Sequence, residues 1–205
     1  SEGMLGVATQ VAVRLTRDPP SVRTMLLSFA DVASAAASLD GVQKVITITN
    51  PANENPLAAV LAPQVVAAAS GYSHVFGPST TFGRDLMPRV AALLGVNQVS
   101  DIMSVEGSHT FKRPIYAGNA VVTVEAPADV LLVATARVAS WPAAGAGNSA
   151  PVEAAAADAE LPAHTRYVGL ESAASDRPDL QTASRVVAGG RALGSEEQFE
   201  LVYKL

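Results

Sequence analysis

Up to about Val99, the chain alternates short apolar runs with longer amphipathic runs, and this rhythm constrains the fold more than any other feature. Gly, Pro, Asn and Asp separate the runs. The predicted strands are 25–29, 45–49 and 72–76, and the predicted helices are 4–15, 32–39, 57–68 and 86–94. Strands that alternate with helices in this way favour a parallel sheet covered by helices on both faces.

The pattern changes after Val99. Residues 120–125 and 130–138 read as alternating strands joined by the short turn 126–129, which predicts a β-hairpin added to one end of the sheet. Residues 142–163 are rich in Ala, Gly, Pro and Ser, and we expect them to form an exposed, mobile loop without a packing face. The expected fold class is α/β, a three-layer α/β/α arrangement with a mostly parallel sheet.

The domain organisation follows from the last part of the chain. Residues 1–174 are predicted to form one α/β domain, and residues 176–179 (Asp-Arg-Pro-Asp) resemble a linker. Residues 175–205 hold one strand-like run, a glycine turn and the start of a helix, which is too little to bury a core. We therefore expect 175–205 to be the linker and the incomplete beginning of a second domain.

Composition excludes several functions. The formal net charge is −5, so there is no basic footprint for nucleic acid or for an anionic membrane surface. There is no cysteine, which rules out disulfides, thiolate metal sites and thiol nucleophiles within these residues. No apolar run approaches the ~20 residues that a membrane span needs, so no membrane insertion is expected.

The glycine pair before Arg191 is the strongest candidate for a ligand contact. Gly189-Gly190-Arg191 follows the strand-like run 183–188, and Ser195 and Gln198 have capping-box spacing just beyond it. The carboxyl end of a strand ahead of a helix is where open α/β sheets bind nucleotides. The Arg191 guanidinium is suited to a phosphate or a flavin edge, although a surface arginine after a tight turn explains the pattern equally well.

Two loops also carry unusual residues. Residues 77–83 (Gly-Pro-Ser-Thr-Thr-Phe-Gly) could hold a phosphate, but they match neither G-x-G-x-x-G nor the P-loop, so a polar strand–helix turn is the favoured interpretation. Residues 113–120 combine Arg113, Tyr116 and Asn119 just before a strand. This second loop fits an interface with another protein or an internal scaffold equally well.

No catalytic or metal site is expected. His74, His109 and His164 are scattered without ligand spacing, and His74 reads as a hydrogen-bonded core residue. No G-x-S-x-G elbow is present, so serine hydrolase chemistry has no support.

Several blocks of the chain resemble the alpha (large) subunit of the electron transfer flavoprotein family. The blocks are Tyr-Ser-His-Val at 72–75, Phe-Gly-Arg-Asp-Leu-Met-Pro-Arg-Val-Ala-Ala at 82–92, Val-Ser-Asp-Ile at 99–102, Phe-Lys-Arg-Pro-Ile-Tyr-Ala-Gly-Asn-Ala at 111–120, Ser-Asp-Arg-Pro-Asp-Leu at 175–180 and Gly-Gly-Arg-Ala-Leu at 189–193. Together they cover most of the chain, and the block that ends in Tyr-Ala-Gly-Asn-Ala is quite specific.

The resemblance implies an electron carrier without substrate turnover of its own. It implies a heterodimer with a beta subunit, FAD as cofactor, and a first domain of the adenine nucleotide alpha hydrolase-like type. Electrons would come from acyl-CoA and related dehydrogenases and pass to a membrane quinone oxidoreductase. By the same resemblance Arg191 contacts FAD, and the compartment is the mitochondrial matrix or a bacterial cytoplasm.

The resemblance also implies that the chain is a fragment. The family opens with an apolar strand ahead of the residues that match Ser1, and most of the FAD domain would follow Leu205. We expect that these residues alone do not hold FAD, since one arginine contact cannot offset the entropy of immobilising a large cofactor. The alternative is a stand-alone nucleotide-binding α/β module without redox function.

Overall fold

The computed structural model describes most of the chain, namely residues 27–28, 30–156, 158–171, 183 and 185–204. The predicted helix 4–15, the linker 176–179 and the boundary between residues 174 and 175 lie outside the described residues. The chain divides into two compact units, Ser1–Val168 and Gly169–Leu205.

The described residues form nine strands and four α-helices, numbered here in chain order. Strands β1 to β9 are Leu27–Ser28, Val45–Ile48, His74–Pro78, Gln98–Ile102, Ser104–Gly107, Thr110–Ile115, Ala120–Glu125, Leu132–Ala136 and Val152–Ala155. Helices α1 to α4 are Ala30–Ala37, Ala58–Ala68, Thr81–Leu94 and Glu200–Tyr203. None of these helices is long and apolar enough to cross a membrane.

The first sheet is parallel, with strand order β1-β2-β9. Helix α1 packs against it through small side chains that allow a close approach, and a compact core lies between them. That core consists of Ala33, Ala36, Ala37, Val42 and Val45. The alternation of strand and helix that the sequence predicts is confirmed here.

Strand β9 corrects the expectation for residues 142–163. Val152–Ala155 pairs with β2 along all four of its residues, so this stretch is not an irregular loop throughout. Asn148 fastens the approach to the strand, because its Nδ2 donates to the carbonyls of Leu39 (3.0 Å) and Val42 (2.6 Å). The segment is held by backbone pairing and by the side-chain amide of Asn148, while the β9 side chains stay exposed. Hydrophobic patterning therefore could not reveal this strand.

The second sheet is also parallel, with order β3-β8-β4, and it contradicts the predicted hairpin. β8 does not pair with β7 but lies between β3 and β4 as the central strand. All five of its residues are buried. Burial on both faces favours a continuous apolar run rather than alternation, and four of the five residues of Leu132–Ala136 are apolar. Parallel insertion into the sheet therefore replaces the expected antiparallel pairing.

The third sheet is antiparallel, with order β5-β6-β7. It covers one face of the second sheet, where Phe111 packs against Leu132 and Ala134 of β8. The neighbouring β8 residue, Val133, points to the opposite face and packs with α2 and α3. The described protein is thus an α/β structure with mostly parallel sheets, which confirms the predicted class.

Helix α3 connects β3 to β4 and starts earlier than the sequence suggests. Thr80 is the N-cap, and its hydroxyl accepts a hydrogen bond from the Gly83 amide at 3.2 Å. The predicted start at residue 86 would place Asp85 at the cap, but both Asp85 and Pro88 lie inside the helix. The helix ends at Gly95, which takes a left-handed φ of 69°.

Candidate functional site

Arg191 opens a single 3₁₀ turn, Arg191–Leu193, in the second unit. The Leu193 amide donates to the Gly190 carbonyl at 3.0 Å, and the Gly194 amide donates to the Arg191 carbonyl at 3.1 Å. The Arg191 side chain is exposed, and its guanidinium forms no hydrogen bond or ion pair with another described residue. A charged, planar donor is therefore available to an anion or a ring edge from outside.

The two glycines before Arg191 differ in their surroundings. A Cβ atom on Gly189 would collide with Leu193 Cδ1 and lie 3.2 Å from Val202 Cγ2, so the turn and the final helix pack directly on this glycine. A Cβ atom on Gly190 would meet nothing within 4 Å. Gly190 thus leaves open space beside Arg191 that no described residue fills, whereas Gly189 is required by packing.

The strand predicted before this turn does not form among the described residues, although a short helix, α4, does follow the turn. The described residues of 183–188 are not a strand, and Val186 and Val187 are each 54% exposed. A strand needs a neighbour to pair with, and no described strand lies against these residues. The capping box is absent as well, since the turn at Glu197 has no side-chain cap and Ser195 bonds to the Glu197 carboxylate instead. That hydrogen bond lowers the pKa of Glu197.

The turn between β6 and β7 presents an aromatic side chain on a strained backbone. Tyr116, Ala117 and Gly118 have φ values of 50°, 55° and 93°, a run of left-handed conformations that costs energy in residues with a Cβ. Asn119 secures the turn, with its Nδ2 donating to the Tyr116 carbonyl at 2.9 Å. The Tyr116 side chain is 79% exposed. Exposed aromatic residues on rigid turns are typical anchors for a protein partner.

Arg113 belongs to the scaffold rather than to this exposed turn. Its Nε donates to the Ser100 carbonyl at 2.7 Å, and its Nη2 donates to Ser100 Oγ at 3.0 Å. The sequence grouped Arg113, Tyr116 and Asn119 together and left two interpretations open. The structure separates them, because Arg113 ties β6 to β4 while Tyr116 faces solvent.

The loop after β3 uses the Ser79 amide and the Thr80 hydroxyl internally, while Ser79 Oγ is buried without a hydrogen-bond partner among the described residues. The Ser79 amide donates to the Ala136 carbonyl at 2.8 Å, and Thr80 caps the helix. A Cβ atom on Gly83 would collide with the Pro78 carbonyl oxygen, so the helix start lies directly on the end of the strand. This geometry favours the strand–helix turn over a phosphate cradle for residues 77–83.

The sequence analysis missed Asp101, which sits in a bulge of β4 with a left-handed φ of 60°. Its amide donates to the buried Thr135 hydroxyl at 2.9 Å, and its carboxylate lies 3.6 Å from Arg84 Nη2. The available signal was an aspartate within a β-like run, since Asp is depleted in strands. Together with Arg113, these residues fix the carboxyl end of the second sheet.

His74 is hydrogen-bonded at both ring nitrogens, as expected, but it is half-buried and not part of the core. Nε2 donates to the Ser108 carbonyl at 2.8 Å, so Nδ1 accepts from the Ser73 hydroxyl at 2.8 Å. Burial lowers the pKa of His74, the bond to Ser108 opposes this shift, and the neighbouring His109 adds to it. The part of the chain that the structure describes contains no cluster of three or more His, Cys, Asp or Glu side chains able to hold a metal ion.

Fold and sites define a class: a layered α/β protein with an ordered turn that exposes Tyr116 and a separate Gly-Gly-Arg turn whose arginine has no partner among the described residues. The chain belongs to the electron transfer flavoprotein family, because the family model described as "Electron transfer flavoprotein domain" matches residues 7–160. The resemblance noted in the sequence is confirmed.

Curated relatives carry the name of the alpha subunit. The chain is 44% identical over 177 residues to electron transfer flavoprotein subunit alpha of Pseudomonas aeruginosa, covering 86% of this chain and 57% of that protein. It is 45% identical to the same subunit of Paracoccus denitrificans, covering 84% and 56%. The mitochondrial subunit of Dictyostelium discoideum is 34% identical, covering 85% and 53%. The chain thus spans a little over half the length of these relatives.

Proposed function

We propose that this chain is part of the alpha subunit of a heterodimeric electron transfer flavoprotein, an FAD-dependent electron carrier rather than an enzyme. The observation that carries the proposal is the match to named alpha subunits across more than four fifths of the chain. In this proposal the carrier takes electrons from acyl-CoA and related dehydrogenases and delivers them to a quinone oxidoreductase. Its compartment is the mitochondrial matrix in a eukaryote and the cytoplasm in a bacterium.

The Gly-Gly-Arg turn fits a flavin contact. Arg191 has no partner among the described residues, and Gly190 leaves space beside it. FAD supplies the redox chemistry when it is bound. In the proposal Arg191 binds and orients the cofactor through its guanidinium, and Gly189 holds the turn in place by packing under Leu193 and Val202.

In this proposal the two parts of the chain have different roles, subunit assembly and FAD binding. The first domain, assigned to residues 1–174, serves assembly, and residues 175–205 begin the FAD domain. The division of the structure between Val168 and Gly169 supports this assignment. The beta subunit is the proposed partner, and the exposed Tyr116 turn is a candidate contact with it. We do not expect residues 1–205 alone to retain FAD, for the entropic reason already given.

Electron transfer from a dehydrogenase tests the proposed role. The full-length gene product, co-purified with its beta subunit, is mixed without oxygen with an acyl-CoA dehydrogenase and an acyl-CoA substrate. We expect the visible flavin absorbance of the carrier to bleach only when both additions are present. A flavin-loaded heterodimer that the dehydrogenase does not bleach would contradict acyl-CoA dehydrogenases as donors.

A further inference from the structure

Strand β7 lies at the edge of the antiparallel sheet. Among the described residues it pairs with β6 alone, and β6 pairs with β5 on its other side. Side chains on one face of β7 point toward the core, while Val121, Thr123 and Glu125 are exposed. Val121 is 55% exposed although it is apolar.

The register shows which backbone groups of β7 face outward. The Ala126 amide donates to the His109 carbonyl at 2.8 Å, which makes His109 and Ala126 a hydrogen-bonded pair. Hydrogen-bonded and non-hydrogen-bonded pairs alternate along an antiparallel ladder. Ala120, Val122 and Val124 therefore bond to β6, and the amides and carbonyls of the alternate residues, Val121, Thr123 and Glu125, point away from the sheet.

This edge lacks the features that normally keep a strand edge from pairing. β7 has six residues in unbroken register with β6, whereas the β4–β8 and β5–β6 ladders both contain a register shift. It contains no proline and no lysine, and its only charge is Glu125 at the end. A long, regular edge rich in β-branched residues is a template for another strand. Such an edge is expected to be covered by another strand.

We infer that the outer edge of β7 binds an extended strand of the beta subunit, which pairs with the backbone of Val121, Thr123 and Glu125. This inference rests on the proposed function, because the relatives are named as one subunit of an assembly. Main-chain hydrogen bonds supply affinity in this mode of recognition, and side-chain contacts supply specificity. Tyr116, at the end of β7 where Ala120 begins the strand, is placed to anchor the same partner.

Proline at position 123 tests the inference. Thr123→Pro removes one outward amide and blocks the edge, and it leaves every bond to β6 intact. The matched control is Thr123→Val, which keeps the amide and the β-branched shape. In the full-length protein with its beta subunit, we expect Thr123→Pro to weaken the heterodimer by about tenfold or more and Thr123→Val to leave it within about twofold.

Hydrogen exchange provides a second measurement that needs no substitution. In the full-length alpha subunit alone, the amides of Val121, Thr123 and Glu125 should exchange rapidly while those of Val122 and Val124 are protected. Addition of the beta subunit should slow the first set by about tenfold or more and leave the second set unchanged.

The outcomes separate this inference from the proposed function. If the unsubstituted protein forms no heterodimer, the proposed function fails and this inference fails with it. If the heterodimer forms but Thr123→Pro assembles as tightly as Thr123→Val, and the three outward amides stay unprotected, only the inference is overturned. Self-association of the alpha subunit alone that Thr123→Pro abolishes would make a second copy the occupant and would also overturn it.

Discussion

Arg113 and Ser100 join the antiparallel sheet to the parallel sheet beneath it. The Arg113 guanidinium reaches from β6 to β4 and donates to both the carbonyl and the hydroxyl of Ser100. Two donors in a fixed fork hold the bulge of β4 next to Asp101. The sequence block that contains Arg113 therefore has a structural role at its first residue and an exposed aromatic at Tyr116.

Arg113→Ala should destabilise the chain by about 2 kcal/mol, because a charged donor pair is lost and the Ser100 groups lose their partner. Arg113→Lys should recover only part of this, since an ammonium group cannot reproduce the fork. Urea unfolding followed by the fluorescence of Trp141, which packs against this core, measures both variants. The control is Arg137→Ala, whose exposed side chain forms no ion pair with another described residue and should change stability by less than about 0.5 kcal/mol. Equal effects at the two arginines would contradict the structural role.

Gly83→Ala should be strongly destabilising, by about 3 kcal/mol or more. The new methyl group would collide with the Pro78 carbonyl oxygen, which is backbone and cannot rotate away. In an unobstructed helix the same change stabilises by up to about 1 kcal/mol, so the sign itself is informative. Gly95→Ala is the comparison, because its cost of about 1 kcal/mol comes only from the left-handed backbone. Thermal unfolding of both variants checks the order, and a stabilised Gly83→Ala chain would contradict the packing of α3 on β3.

Asn53 and Gln64 form a buried, reciprocal amide pair, with distances of 3.0 and 2.7 Å between the donor and acceptor atoms. Gln64→Leu should cost about 2 kcal/mol, because Asn53 is left buried without a partner. Replacing both residues with Leu should cost less than the sum of the single changes by at least about 1 kcal/mol. A double-mutant cycle measured by urea unfolding tests this, and strict additivity would show that the pair does not act as a unit.

His74 should make stability depend on pH in a defined window. Its pKa is lowered from 6.5 mainly by burial, so the unfolded chain binds more protons than the folded chain between the lowered value and 6.5. The stabilisation is complete above 6.5 and is lost as the pH falls through the folded pKa. Unfolding free energies from about pH 7 to about pH 5 should fall less steeply for His74→Gln than for the unsubstituted chain. Identical slopes for the two proteins would mean that His74 does not cause the pH dependence of stability. The pKa of Glu106 is also lowered, but from 4.5, so its effect on stability falls below this pH range.

Local sequence patterns predicted the positions of the helices and strands better than they predicted which strands pair in a sheet. The strand predicted at 130–138 is observed as Leu132–Ala136, but whether that strand ends a hairpin or lies inside a parallel sheet depends on which surfaces cover it. The predicted helix start at residue 86 was wrong by five residues, since the helix begins at Thr81. The earlier start depends on Gly83, which has no Cβ and lets the helix begin directly against Pro78.

The residues of the candidate sites also fall into two groups, those that the sequence pointed to and those that only the structure reveals. Arg191 and Tyr116 stood out from residue type and position, because charged or aromatic residues beside glycine have few purely local explanations. Asp101 and the outward amides of β7 could not be found, since they depend on a bulge and on a ladder register set by contacts distant in sequence. The assignment of Arg191 to FAD stays a prediction.

The visible absorption spectrum of the full-length gene product, co-purified with its beta subunit, tests the central claim most directly. The account predicts a two-banded flavin spectrum at about one flavin per heterodimer, weakened in Arg191→Ala and largely retained in the exposed-surface control Arg185→Ala. A stable heterodimer without flavin absorbance would contradict the proposal that this chain belongs to an electron carrier.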